Sequence, residues 1–269
     1  MSRTIRRLDL ADIGTLLDWA AAEGWNPGLH DAVPFHAADP DGFIGAFVDG
    51  TMVAGIAAVA YDETFGFIGL YICHPHWRGQ GHGKAVWDAG MAYLGTRTIG
   101  LDGVPEQQAN YASMGFVPAY DTVRMSGVLA APVANGDVST ASLEHVRDLD
   151  RKCFPANRDA FLQHWLAPPH RAVVHRSDGR VDGYAVLRPC VDGFKLGPLF
   201  AATTEVAIAL LDAQSGPIHI DVPAHQVEFL SALTELGFNP GFRTTRMYRG
   251  PAPAIHLASV FGTTSLELG

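Results

Sequence analysis

A loop with glycine at alternate places, Arg78-Gly79-Gln80-Gly81-His82-Gly83-Lys84, follows an apolar run that stops at Pro75. Such a loop leading into a helix leaves several backbone N–H groups unpaired and pointing one way, at the positive end of the helix dipole. Glycine lets the chain approach an anion that a Cβ would hold off. The chemistry implied is capture of a phosphate or pyrophosphate; the plain alternative is a Gly-rich turn with no ligand. Two common phosphate loops fail here. The Walker pattern requires Gly where Arg78 stands and Ser or Thr where Ala85 stands. The dinucleotide fingerprint requires Gly where Lys84 or Val86 stands, depending on the register chosen.

What fits is Arg-x-x-Gly-x-Gly after a strand ending Cys73-His74-Pro75. This resembles motif A of the GNAT superfamily of N-acetyltransferases, whose loop holds the pyrophosphate of coenzyme A. The resemblance implies acetyl-CoA as co-substrate. It puts the amides of Gly79, Gln80, Gly81, His82, Gly83 and Lys84 against the pyrophosphate, with charge from Arg78 and Lys84. It also puts Tyr71, Ile72 and Cys73 where the family's fourth strand splays from the fifth and pairs with the pantetheine amides; one of their N–H groups would polarise the thioester carbonyl. Tyr111-Ala112-Ser113-Met114-Gly115-Phe116 matches a second family pattern. Its Tyr hydroxyl protonates the leaving thiolate, a role suited to a phenol, which still carries its proton at pH 7. The competing reading of Tyr111 is a core residue with its hydroxyl at the surface. Where the family often has Asn, about seven residues earlier, this chain has Val104; Asn110 or Gln107 are the substitutes at hand.

An amine must be neutral to attack a thioester, so a base or a water chain to one is expected. Glu23, Asp31, Glu63 and Asp102 are the candidates. Glu23 and Asp31 flank the loop between the first two helices, which in this family walls the acceptor site. Trp25 and Asn26 between them offer an aromatic face and an amide to a substrate bearing an ammonium group. The same Trp25-Asn26-Pro27-Gly28 is equally readable as a packed turn, and Asp102 as a strand-end carboxylate capping the next helix. Cys73, His74 and His76 share one short loop but lack a second pair of ligands at metal spacing, so no metal is expected.

The elements that must position these groups occur twice. Gly100-Leu101-Asp102-Gly103-Val104-Pro105, a helical stretch, Gly115-Phe116 and Arg124-Met125 are echoed by Ile220-Asp221-Val222-Pro223, a helical stretch, Gly237-Phe238 and Arg246-Met247. In both, the Arg lies nine places after the Gly, which suggests a duplicated unit. Upstream, hairpin signals at Asp49-Gly50, Asp178-Gly179 and Asp192-Gly193 separate apolar runs. The runs Phe43–Val48, Met52–Tyr61 and Phe65–Cys73 precede a helix carrying Val86, Trp87, Gly90, Met91 and Leu94. The expected class is α/β, a mixed and mostly antiparallel sheet flanked by helices in each of two tandem GNAT-like domains. The expected boundaries are 1–130 for the acetyl-CoA-binding domain and 138–250 for its copy, with 251–269 as an extended tail. The copy has Gly197-Pro198-Leu199 where the phosphate loop belongs and Leu233 where Tyr111 belongs, so it reads as degenerate.

Composition bounds the partners. Of 269 residues, 48% are hydrophobic and 17% charged, the balance of a folded globular chain and not of a disordered one. The net charge of -9 disfavours duplex nucleic acid or an anionic membrane, each of which needs clustered Lys and Arg. Three scattered cysteines give no disulfide framework, and the longest apolar stretch is about half of what a bilayer requires. The charged N-terminus leads into no apolar core. These features predict a soluble, cytoplasmic protein; the family resemblance implies an N-acetyltransferase, and the acidic charge and second domain tilt its acceptor to a small-molecule amine, with an oligomer left open. The alternatives are a non-catalytic acetyl-CoA sensor, which has no need of Tyr111, and a protein N-acetyltransferase.

Overall fold

A computed structural model describes residues 2–132 and 136–269. The first half runs β1 (Arg3–Arg7), α1 (Leu10–Ala22), α2 (Ala32–Ala38), β2 (Phe43–Val48), β3 (Thr51–Ala60), β4 (Phe65–Cys73), α3 (His82–Leu94), β5 (Thr98–Gly103), α4 (Pro105–Ser113) and β6 (Val117–Leu129). The second runs β7 (Val138–Thr140), α5 (Leu143–Cys153), α6 (Asp159–Trp165), β8 (Arg171–Ser177), β9 (Arg180–Pro189), β10 (Phe194–Ala201), α7 (Thr204–Asp212), β11 (Gly216–Pro223), α8 (Val227–Glu235), β12 (Asn239–Arg249) and β13 (Val260–Gly262). The hairpin signals fall where expected. Asp49 and Asp178 take positive φ and are each followed by a positive-φ glycine, the backbone of a tight strand-to-strand turn.

The strands form one mixed sheet in the order β1-β2-β3-β4-β5-β12-β6-β11-β10-β9-β8-β7, with β13 added on β10. The two halves exchange their last long strands. β12 of the second half lies beside β5 of the first, and β6 of the first lies beside β11 of the second. A buried ion pair marks each crossing. Arg124 stands opposite Asp221 in register and donates to both its oxygens, at 2.7 and 2.9 Å. Arg246 stands opposite Asp102 and does the same at 2.8 and 2.9 Å. These are the two arginines that lie nine places after Gly in the repeat. A buried charge needs a partner, and each Arg finds it on the other half. The expected boundaries at 130 and 138 therefore do not separate the sheet into independent pieces; Val133, Ala134 and Asn135, inside the expected linker, lie outside the described residues.

Hydrophobic packing holds both halves. Ile56 and Ala58 of β3 pack with Val86, Trp87 and Leu94 of α3. Ala57 and Val59 join a larger cluster in which Leu16 of α1 and Phe35 of α2 meet Phe161 and Trp165 of α6 and Tyr184 of β9. Phe35 stacks on Trp165 with ring centroids 6.1 Å apart. A third cluster puts α7 and α8 on the second half's strands through Leu210, Phe229 and Leu233. Leu233 is fully buried there, a packing residue in the place that corresponds to Tyr111. No helix of the described residues is long and apolar enough to cross a membrane.

Residues 251–269, expected to be an extended tail, are in part built into the core. Val260 to Ser265 and Glu267 to Gly269 are all buried. The tail contributes β13 to the sheet, and Leu268 accepts a hydrogen bond from the Tyr61 hydroxyl at 2.9 Å.

Candidate active site

β4 and β5 run parallel and pair from Phe65–Thr98 to Ile68–Leu101, where the pairing stops although both strands continue. The gap opens where β4 carries a bulge: Leu70 and Tyr71 stand opposite the single residue Ile56 of β3. Leu70 has φ +45°, a conformation a branched side chain adopts only under constraint. Strain of this kind, next to strands that separate, marks a place where backbone amides are turned to another use. A cleft of about 620 Å³ occupies the gap, within the size range of small-ligand sites. Ile68 to Cys73 and Leu101, Asp102 and Val104 form its strand walls, Glu106, Gln107, Asn110 and Tyr111 come from α4, and Glu23 and Arg78 lie at its edge. The expected Tyr71, Ile72, Cys73 and Asn110 are thus brought together with Tyr111.

The loop after β4 meets its expectation in backbone form. Gly79 and Gly81 take φ +75° and +79°, and Gly81 is the residue before α3 with no side chain capping the helix. Among the described residues, the amides from Gly79 to Lys84 make no hydrogen bond of normal geometry to an oxygen. Successive positive-φ turns aim such amides inward as an anion cradle. Gly83 has a further reason to lack a side chain: a Cβ there would sit 3.1 Å from the Tyr71 hydroxyl. His82 is buried against Trp77, so its contribution to an anion is its amide and not its ring. Arg78 donates through Nε to the Cys73 carbonyl at 3.0 Å and is paired with Glu23. Lys84 is exposed and bridges to Asp88 at 2.5 Å.

Tyr111 stacks on Trp87 with centroids 5.6 Å apart and planes 24° from parallel. Trp87 in turn meets Tyr71 at 5.2 Å. Burial pushes the Tyr111 phenol up to about 12, with the Tyr71 phenol adding to the effect, so it keeps its proton across the whole physiological range. Burial raises the Cys73 thiol as well, which leaves it an uncharged wall residue.

The expected bases and acceptor residues divide. Trp25 lines the cleft, and its carbonyl accepts from Arg124 at 3.2 Å and from Lys195 at 3.0 Å. Asn26, at φ +54°, clips the loop to the second half by exchanging hydrogen bonds with the Asp192 backbone at 2.8 and 2.9 Å. Asn26 is therefore structural and not a substrate amide. Asp31 is fully buried, accepts from the Gly28 amide at 2.9 Å and pairs with Arg188, so it too is withdrawn from the acceptor. Glu63 sits exposed on the β3–β4 turn, away from the cleft. Glu23 faces the cleft but its carboxylate is engaged by Arg78. Asp102 reaches the cleft wall, and burial raises its carboxyl against the pull of Arg246. Both its oxygens accept from that guanidinium, so in this structure Asp102 is engaged in holding β5 to β12. Among the described residues no three His, Cys, Asp or Glu side chains gather to hold a metal.

Sequence reading missed the far wall: Arg124, Phe242, Thr244, Leu266 and Glu267. Three of these come from the exchanged strands and two from the tail. The one signal available was Arg124 itself, a charge inside an apolar stretch that had to be paired across the repeat.

The second half has the same frame without the same opening. β10 and β11 pair only at Phe194–Ile218 and Lys195–His219 before diverging. β13 fills this gap: Gly262 and Val260 pair with Leu199 and Phe200, and the Thr263 amide donates to the Asp221 carbonyl at 2.9 Å. α7 is preceded by Thr203, whose own hydroxyl accepts from the Val206 amide, so this helix N-terminus is already capped.

Comparison with known proteins agrees with this frame. The profile of the Acetyltransferase (GNAT) family matches residues 10–117, and that of an Acetyltransferase (GNAT) domain matches 146–262. Holothin acyltransferase of Pseudoalteromonas sp. (strain SANK 73390) is 33% identical over 264 residues, 94% of this chain and 90% of that protein. In structure, a putative acetyltransferase from Pyrococcus horikoshii aligns with a TM-score of 0.83 at 20% identity, over 99% of this chain and 96% of the other. A tandem GNAT protein from the clavulanic acid biosynthesis pathway aligns with a TM-score of 0.63 at 16% identity, over 93% and 100%. The splayed strands, the glycine loop and the repeated frame thus belong to one lineage: the chain is a tandem member of the GNAT family of acyltransferases.

Proposed function

We propose that the chain transfers an acetyl group from acetyl-CoA to the primary amine of a small molecule, with Tyr111 as the general acid. The observation that carries this reading is a juxtaposition: a row of amides at the N-terminus of α3 that no oxygen of the described residues satisfies, with Gly83 against Tyr71 of β4, and the half-buried Tyr111 phenol on the wall of the cleft that Arg78 and Tyr71 also line. The amides of Gly79 to Lys84 suit a pyrophosphate. Arg78 supports it, since its pair with Glu23 is half-exposed and an exposed pair of this kind contributes little, so a phosphate competes for the guanidinium. Leu70 and Tyr71 at the bulge supply backbone amides near a thioester carbonyl set between β4 and β5. The amine nitrogen forms its bond to the acyl carbon, the C–S bond breaks, and the electron pair left on sulfur takes the Tyr111 proton.

A small acceptor is favoured over a protein by the enclosure. Arg124, Phe242, Thr244 and Glu267 close the cleft from the side of the second half, leaving an acceptor chamber walled by Trp25 and Phe242. The relative's name, holothin acyltransferase, supports acyl transfer and leaves the length of the acyl chain as the variable to scan. A thiol-release assay over acetyl, propionyl and longer acyl-CoA donors, against a panel of small amines and lysine peptides, tests the reading. Release with acetyl-CoA that depends on a small amine is the expected result. Tight acetyl-CoA binding with no release above the blank across the panel would favour the sensor reading instead.

A further inference from the structure

The mechanism so far lacks a proton acceptor, because Glu23, Asp31 and Asp102 are each held by an arginine. Two carboxylates on the cleft wall accept no hydrogen bond from an arginine: Glu106, exposed to solvent on α4, and the buried Glu267. Glu267 is 3% exposed, lies in the cleft, and its Oε2 has no hydrogen-bond partner. Its nearest cations are Arg188 and Lys195, both at 3.9 Å. Arg188 is already committed to Asp31 and Lys195 to the Trp25 carbonyl. Arg124, the third cation on this wall, gives both its forks to Asp221. A carboxylate buried without hydrogen bonds is costly unless something completes it; Arg188 and Lys195 offset its charge from 3.9 Å, and the cleft it lines is the side from which a further donor can come.

The backbone shows that this placement is built. The Glu267 carbonyl lies 1.9 Å from where a Cβ of Gly69 would be, so only glycine on β4 allows the tail to sit there. Gly69 immediately precedes the bulge at Leu70. The tail arrives at this point from the second half, where β13 occupies the gap between β10 and β11. Gly197 of β10 is likewise pressed by the carbonyls of Thr263 and Thr264, which would stand 2.4 and 2.7 Å from a Cβ. The slot that in the first half opens to the cleft is in the second half the seat of a strap.

We propose that Glu267, carried into the first half's cleft by a tail seated in the second half's closed strand gap, is the carboxylate that accepts the hydrogen bond of the acceptor amine and takes its proton. The inference rests on the acyl-transfer reading and deepens it. As the nitrogen bonds the acyl carbon and sulfur departs with the Tyr111 proton, the nitrogen's proton passes to Glu267, and solvent returns it to Tyr111. Acetyl-CoA contributes neither to nor from this carboxylate, so cofactor affinity and acceptor turnover separate.

The test uses the full chain with acetyl-CoA and the best amine of the panel. Glu267→Gln keeps the size and loses the base, and kcat/KM for the amine should fall at least about 100-fold, the low end of general-base effects, while acetyl-CoA affinity by calorimetry stays within twofold. Glu267→Asp should recover part of the loss. Because Glu267→Gln leaves buried Lys195 short of a counter-charge, the pair Lys195→Met with Glu267→Gln is measured beside it. The double variant should regain the wild-type melt and stay inactive. Wild-type kcat/KM in Glu267→Gln, or activity that returns together with the melt in the double variant, would overturn the proposal. A wild-type chain that acetylates no amine would sink the acyl-transfer reading itself, a different failure.

Discussion

Replacing Arg246 by Met tests whether Asp102 holds strands or moves protons. In the folded chain Arg246 gives two hydrogen bonds to Asp102 and lies over the Phe67 ring, with its guanidinium 4.8 Å from the centroid. Both side chains are buried, at 7% and 0% exposure, so loss of the guanidinium strands a carboxylate in an apolar interior. Breaking a buried pair from one side costs about 3–5 kcal/mol. At roughly 2–4 °C per kcal/mol for a chain of this size the melt should fall by about 6–20 °C. Removing both partners, Asp102→Leu with Arg246→Met, should return to within about 1 kcal/mol of wild type, because no orphaned charge remains. Urea unfolding of the four proteins of this cycle gives the coupling directly. Thiol release measured on the same samples gives the chemistry: the double variant, refolded to normal stability, should retain turnover. A single variant as stable as wild type would refute the idea that the exchanged strand depends on this pair. A stable double variant with no turnover would make Asp102 the base after all.

Tyr111→Phe removes one hydroxyl from a stacked ring, so acetyl-CoA affinity should hold while turnover drops by about 10²-fold; equal turnover would leave Tyr111 a packing residue. The same phenol, pushed up to about 12 by burial, predicts a kcat profile in wild type with no alkaline limb from this acid below pH 10. Its raised value also means that stability linked to it is fully present below the usual tyrosine value of 10.0 and is lost only as pH climbs through about 12. Gly69→Ala should displace the tail from β4 and lower acceptor turnover far more than Gly14→Ala, where the Cβ meets nothing within 4 Å; equal effects would show that the tail yields without consequence.

What was legible in the sequence was local. The alternate glycines before α3 demand their conformations one residue at a time, and Tyr111 lies four places before Gly115 within one helix and its turn, so both were readable without knowing the sheet. The strand exchange was not. Val117–Leu129 and Asn239–Arg249 look alike as strands, and nothing within either says whether its partner is β5 or β11; that choice is made by contacts far away along the chain. The buried pairs were a trace of it, since Asp102 and Asp221 recur at the same place of the repeat and each needed a cation. Glu267 was hidden for a related reason. Its segment, Val260 to Gly269, carries Gly, Thr and Ser, the composition of a loop, and is buried because it fills a gap between strands already formed. Apart from Glu23 and Trp25, which the sequence pointed to, the cleft wall facing the second half is assembled from the exchanged strands and this tail, which is why the glycine loop was readable and that far wall was not.

The second half of the duplicated frame has given its slot to the tail, which leaves the first half as the proposed seat of acyl-CoA. Calorimetric titration of the intact chain with acetyl-CoA should therefore give one equivalent per chain, and none in folded Gly81→Glu or Gly83→Glu, where bulk and negative charge enter the row of amides. Two equivalents per chain, or wild-type affinity in either glycine variant, would contradict that assignment.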